Sequence, residues 1–167
     1  MNLYILRHGL AVERADWDFK DDSQRPLTPK GKKQLKSAAR AMRKMELHFD
    51  LILSSPFLRV KQTAEIVTKI LKLRKQLKFS DALTPDGDAK MLIHQLNKLK
   101  PAPKNLLLVG HEPYLSRLIS LLASGGENVA LDFKKGGLGK LEVENLRAGK
   151  CAMLVWLLTP KQMKLMN

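Results

Sequence analysis

Three short apolar runs constrain this chain more than any other feature. Residues 2–6 (NLYIL), 50–54 (DLILS) and 105–109 (NLLLV) each read as a buried strand. Each ends in polar residues and runs on toward a helix start. Arg7, His8 and Gly9 follow the first run. Ser54, Ser55 and Pro56, with Arg59 just beyond, follow the second. Gly110 and His111, ahead of Pro113, follow the third. Strands alternating with helices make a mostly parallel sheet covered on both faces. With these strands as parallel neighbours, all three junctions open on one edge of the sheet, where α/β folds collect their ligands.

The intervening chain fits that plan. Residues 10–27 are polar, with Trp17 and Phe19 as isolated hydrophobes, and read as a long loop of the functional kind. Thr28 and Pro29 give a helix start, and Leu35, Ala38, Ala39, Met42 and Met45 keep helical spacing toward an end near Leu47. Ser55 and Pro56 repeat the cap-then-proline signal, with Arg59 and Gln62 early on the second helix. A weak strand at 77–80 leads into the dense turn signal TPDGD at 84–88. Met91, Leu92, Leu96 and Leu99 mark a third helix, and Pro113 starts a fourth that Gly125 and Gly126 end. Residues 129–133, 138–143 and 152–158 read as strands, the last two as an antiparallel hairpin. The expected fold is α/β: a three-layer α/β/α sandwich whose mostly parallel central sheet has an antiparallel edge. It forms a single domain over 1–167.

Charge narrows the partners. The chain has 30 Lys+Arg against 16 Asp+Glu, a formal +14, which suggests an anionic partner. Much of the excess lies in two clusters, at 30–44 and 69–78. Aromatic residues make up 5% and are not interleaved with those clusters, so the stacking platforms of a single-strand nucleic-acid binder are missing and nucleic acid is not the expected partner. No apolar run approaches the ~18 residues of a membrane span, and Arg7 and His8 interrupt the only N-terminal apolar stretch. Cys151 is the only cysteine, which excludes an internal disulfide. The expected setting is cytoplasmic, with no membrane partner.

The junction residues are of one chemical kind. Arginine forks match phosphate oxygens, and helix N-termini add N–H donors. Nearby arginines disfavour a protonated imidazole, so a histidine among them stays neutral and can attack phosphorus. The cations then stabilise charge on the equatorial oxygens in flight. The sequence has no clustered Asp, His and Cys ligands and no Walker-type loop, so neither a metal nor a cofactor is expected.

The ordered motifs resemble the histidine phosphatase superfamily, with its phosphoglycerate mutase-like fold, and within it the small SixA-type phosphohistidine phosphatases. They are Leu6-Arg7-His8-Gly9; Arg25-Pro26-Leu27-Thr28 with Gly31; Ser54-Ser55-Pro56-Phe57-Leu58-Arg59 with Gln62-Thr63-Ala64; Leu83-Thr84-Pro85-Asp86-Gly87-Asp88; and Val109-Gly110-His111-Glu112-Pro113. The resemblance implies that His8 is the nucleophile and that Arg7, Arg59 and His111 bind and polarise the phosphoryl group. Gly9 either contacts substrate or shapes the turn, and Ser55 either contacts substrate or caps a helix. Gln62 is a lesser candidate. Arg25 either reaches the pocket or pairs with Asp22.

The proton donor that many members use has three candidates here, Asp86, Asp88 and Glu112, and Asp86 could instead cap the third helix. A weak acid function matters less for phosphohistidine, whose P–N bond breaks readily, and no insertion suggests a lid over a small metabolite. The implied activity is therefore a metal-independent phosphatase acting on phosphohistidine in a protein, such as a phosphotransfer domain, with the basic helices helping to dock an acidic partner. The alternatives are a phosphatase for small phosphate esters or nucleotides, and a basic phosphate- or nucleic-acid-binding module with little turnover.

Overall fold

The computed structural model describes residues 1–16 and 21–167. Its centre is one six-stranded sheet of β1 (Asn2–Arg7), β2 (Leu51–Ser54), β3 (Leu77–Phe79), β4 (Asn105–Gly110), β5 (Leu138–Val143) and β6 (Ala152–Leu158), in the order β3-β2-β4-β1-β5-β6. β1 to β4 run parallel, whereas β5 lies antiparallel to β1 and β6 antiparallel to β5. Arg7 stands opposite Gly110, and Ser54 opposite Val109. The carboxyl ends of β1, β2 and β4 are therefore level, and the three polar junctions share one edge.

Both faces are covered, which is why the central strands read as unbroken apolar runs. On one face Ile5, Leu53, Leu106 and Leu108 pack with Leu92 and Leu96 of α3 (Ala89–Asn97) and Leu115, Leu118 and Leu122 of α4 (Tyr114–Ser124). On the other, Tyr4, Leu6, Ile52, Leu107 and Val109 pack with α1 (Pro29–Lys44), α2 (Leu58–Leu71) and Met163 of α5 (Pro160–Leu165). The alternation along β1 is the period of two that sends successive side chains to opposite faces. Thr28 caps α1 as expected, its Oγ1 accepting from Gly31 N at 3.0 Å. A Cβ on Gly31 would lie 2.1 Å from the Leu10 carbonyl oxygen, so only glycine lets the helix start lie against the loop leaving the first junction.

Several expectations are corrected. Residues 129–133 form no strand. Val129 N donates to Ser120 Oγ on α4, and Phe133 turns into the core, so this backbone is satisfied outside the sheet. α1 ends at Lys44 rather than near Leu47, because Glu46 turns into the left-handed region at φ 54°. Asp88, not Asp86, caps α3, its Oδ1 accepting from Lys90 N at 2.7 Å. α2 starts at Leu58 without a side-chain cap, so Ser55 does not serve as one. The short α5 was not foreseen, although Thr159-Pro160 repeats the signal of Thr28-Pro29 and completes a capping box with Gln162. Trp17 and Phe19 fall outside the described residues. Among the described residues no helix is long and apolar enough to cross a membrane.

Candidate active site

His8 is the first residue past β1 and is 7% exposed. Its Nδ1 lies 2.7 Å from the Gly9 carbonyl oxygen. A carbonyl only accepts, so Nδ1 carries the proton and Nε2 keeps a free lone pair. Gly9 N donates to Thr63 Oγ1 at 3.2 Å, and that hydroxyl donates to the Arg59 carbonyl at 2.7 Å, tying the histidine's turn to α2. A Cβ on Gly9 would lie 2.6 Å from Leu35 Cδ1, so this glycine lets the turn sit against α1.

Arg59, 3% exposed, is the hub. Its Nη1 donates to the Asp22 carbonyl at 2.8 Å, and its Nη2 lies 2.9 Å from Asp22 Oδ2 and 3.1 Å from His111 Nδ1. A guanidinium only donates, so His111 Nδ1 is bare and its Nε2 carries the proton, donated to Ser55 Oγ at 2.9 Å. The two imidazoles, 5.5 Å apart and edge to face, thus hold opposite tautomers. Arg7 Nη1 donates to the Phe133 carbonyl at 2.5 Å. The Nε atoms of Arg7 and Arg59 are buried without a partner among the described residues. A buried N–H left so costs roughly 1–3 kcal/mol, and two such donors beside two histidines fit the acceptor oxygens of a phosphoryl group.

Asp22 was not singled out as a site residue, yet three arginines meet on it: Arg59, Arg25 at 3.0 Å and Arg14 at 3.2 Å. Arg25 therefore takes the second of its two readings. It pairs with Asp22, and its Nη1 donates to the Val12 carbonyl at 2.7 Å. Gln62 Oε1 accepts from Leu27 N at 2.8 Å and so anchors the loop to α2.

Residues 3–84 match the family described as Histidine phosphatase superfamily (branch 1). Over 126 residues the chain is 32% identical to Phosphohistidine phosphatase SixA of Escherichia coli strain K12, spanning 75% of this chain and 76% of that one. The chain belongs to the histidine phosphatase superfamily. It is also 38% identical over 139 residues to a protein of Picosynechococcus sp., covering 83% of this chain and 82% of that one. Its fold matches the structure of the protein histidine phosphatase SixA complexed with tungstate at a TM-score of 0.84, with 26% identity over 98% of this chain and 100% of the other. The chain is a SixA-type phosphatase of this superfamily, with the phosphoglycerate mutase-like architecture.

The superfamily's acid candidates separate clearly. Asp86 is exposed in the turn before α3, and Asp88 is occupied as its cap. Glu112 is half-buried, accepts from Ser116 N at 3.1 Å and from Ser116 Oγ, and lies near enough to Arg7 that its charge opposes burial, which lowers that guanidinium's pKa overall. Of the three, only Glu112 is charge-coupled to the pocket. Among the described residues, no three His, Cys, Asp or Glu side chains come together as metal ligands.

Burial first, then the charges of Arg59, Arg7 and Arg25, hold the His8 pKa at about 3, although the bond to Gly9 opposes them. Burial and then Arg59 hold His111 at about 2. Both rings are neutral in the folded protein, while in the unfolded chain each protonates near its ordinary ~6.5. The unfolded state thus binds more protons below that value. Stability is full above pH 6.5 and falls as the pH drops toward 3, by up to about 1.4 kcal/mol per pH unit for each ring. Melting followed by circular dichroism from pH 7.5 to 4.5 should show Tm falling with acid, and His111→Asn should make the slope shallower. A Tm that stays level down to pH 5 would contradict neutral burial of the pair.

Proposed function

We propose that this protein removes phosphoryl groups from phosphohistidine side chains of a partner protein, without a metal, through a phosphorylated His8. The observation that carries this reading is a buried, neutral His8 with Nε2 unprotonated, next to two arginines whose buried Nε groups lack partners among the described residues. In the first step the Nε2 lone pair forms a bond to phosphorus, and the bond from phosphorus to the substrate imidazole breaks. The leaving nitrogen keeps the electron pair and takes a proton from solvent. His8, now alkylimidazolium-like, keeps its Nδ1–H on the Gly9 carbonyl, which steadies the positive ring. In the second step water attacks phosphorus, the electron pair returns to Nε2, and inorganic phosphate leaves with the surplus proton passing to solvent. Arg7 and Arg59 neutralise the equatorial oxygens throughout, and the His111 Nε2–H, held on Ser55 Oγ in the free protein, turns to donate to one of them.

Three observations support a phosphohistidine rather than an ester. The E. coli relative bears that name. None of the acid candidates is held to serve as a strong general acid. Every charged residue of α1 is basic, which suits an acidic protein partner.

The test is phosphate release from a phosphohistidine-bearing protein with chelator present, for wild type, Asp86→Asn and Glu112→Gln. Turnover should survive the chelator and change less than about threefold in either variant, because the imidazole leaving group needs little acid assistance. Alkyl phosphates should turn over about 10²-fold or more slowly. Faster turnover of alkyl phosphates, lost in Glu112→Gln, would instead make this a small-ester phosphatase. Binding without turnover of either substrate would make it a phosphate-binding module.

A further inference from the structure

We propose that a cavity at the amino-terminal edge of the sheet is a second anion site, one that takes an oligophosphate chain. The cavity has a volume of about 670 Å³ and is lined by Asp50, Leu51, Lys75, Lys78, Lys100 and Lys104, among others. That volume is typical of small-molecule sites. It lies where β2 and β4 begin, whereas the histidine pocket lies where they end, and the six residues of β4 span roughly 20 Å.

Two walls carry the lysines. Lys75 and Lys78 come from the 3₁₀ turn Arg74–Gln76 and from β3, and Lys100 and Lys104 from the connection between α3 and β4. All four are exposed, and none forms an ion pair among the described residues. The one carboxylate in the lining, Asp50, is already engaged: its Oδ2 accepts from the N–H groups of Lys104 and Asn105, each at 2.8 Å. Those bonds clamp the Lys100–Lys104 wall to the start of β2, and the pairing of Lys78 with Leu53 fixes the other wall. The lysine backbones are therefore held in place, and only the side chains need to move.

Four ammonium groups facing one concavity repel each other and concentrate positive potential there. A second cavity of about 670 Å³, bounded by Glu142, Glu144, Arg147, Lys150 and the Met1 amino group, comes within one charge of balance, so the larger excess belongs to the lysine-walled one. Among the described residues the lining contains no aromatic on which a base could stack. The ligand chemistry that fits is a short phosphate chain, whose several negative charges can reach both walls at once. Lysine suits this as a flexible point charge. Free oligophosphate and the tail of a nucleoside triphosphate share that chemistry.

The test is calorimetric titration of the full chain with inorganic tripolyphosphate at low salt, in an Arg7→Ala background that weakens the histidine pocket. Lys78→Glu/Lys104→Glu should weaken binding at least tenfold. Lys32→Glu/Lys36→Glu on α1 changes the net charge equally and should weaken it less than threefold. Lys78→Gln/Lys104→Gln gives the same reading with a milder change, should the double glutamate variant fold poorly. Equal weakening by the α1 pair, or binding unchanged by the cavity variants, would overturn the site. ATP and tripolyphosphate binding equally would identify the free chain as the source. Tighter binding of ATP, lost with the same lysines, would identify a nucleotide.

Discussion

His8→Ala should lower phosphate release by roughly 10⁴–10⁶-fold and abolish the phosphorylated enzyme, while the protein stays folded. The magnitude is that of removing a nucleophile whose surrounding groups act as one unit. The geometry explains why nothing else can take over. His111, the other imidazole of the pocket, has its bare nitrogen, Nδ1, directed to Arg59 and its protonated Nε2 directed to Ser55. It presents no free lone pair to phosphorus, so a second nucleophile would require both of its bonds to break.

The fold survives the change because β1 is paired on both sides and, among the described residues, the ring's one direct hydrogen bond is to the next residue. The variant leaves the Gly9 carbonyl without its donor, a loss of about 1 kcal/mol. The check is rapid quench with labelled phosphohistidine protein: wild type should accumulate an acid-labile, base-stable phosphoenzyme, and the variant none. A phosphoenzyme of equal amplitude in the variant would mean that another group is the acceptor.

The three strand junctions were legible in the sequence because an apolar run, a polar end and a helix start are all local patterns. Thr28 and Pro29 were legible for the same reason. What escaped was set by long-range contact. Ser55 looks like a cap because Pro56 follows it, but its hydroxyl is taken by His111, 56 residues away. Asp22 looks like one acid in a polar loop with Arg25 as its local partner, and only the fold brings Arg59 to it from α2, 37 residues away, and makes it the meeting point of three arginines. Residues 129–133 have the composition of a strand, yet Val129 N bonds to Ser120 on α4 and the Phe133 carbonyl accepts from Arg7, contacts that only the fold supplies. The two Nε donors without a partner among the described residues follow from orientation within the pocket, which residue types alone do not encode.

Arg59 should be the next most sensitive position after His8, for a different reason. Arg59→Ala should lower kcat/KM by about 10³-fold, the scale of losing preorganised donors to a phosphoryl oxygen, and Arg59→Lys should recover no more than about tenfold. Lysine keeps the charge but has no planar fork, and here the fork has a set of assigned directions. One terminal nitrogen holds the Asp22 carbonyl, the other holds both the Asp22 carboxylate and His111 Nδ1, and Nε has no partner within the described residues. A single ammonium cannot satisfy those partners and still face a phosphoryl oxygen.

Stability should fall with either change, by about 1–2 kcal/mol rather than the 3–5 of a fully enclosed pair, because Asp22 is 30% exposed and keeps Arg25 and Arg14. Steady-state kinetics with thermal melts of the same preparations would check both effects. A lysine variant with wild-type kcat/KM would show that Arg59 supplies charge alone. The tautomer of His111 rests on the same guanidinium: without that donor, Nδ1 is free to take the proton and Nε2 to lose it. Loss of Arg59 thereby removes two donors from the pocket, its own and that of His111, and the resulting defect should exceed that of Arg7→Ala, where only one guanidinium is lost.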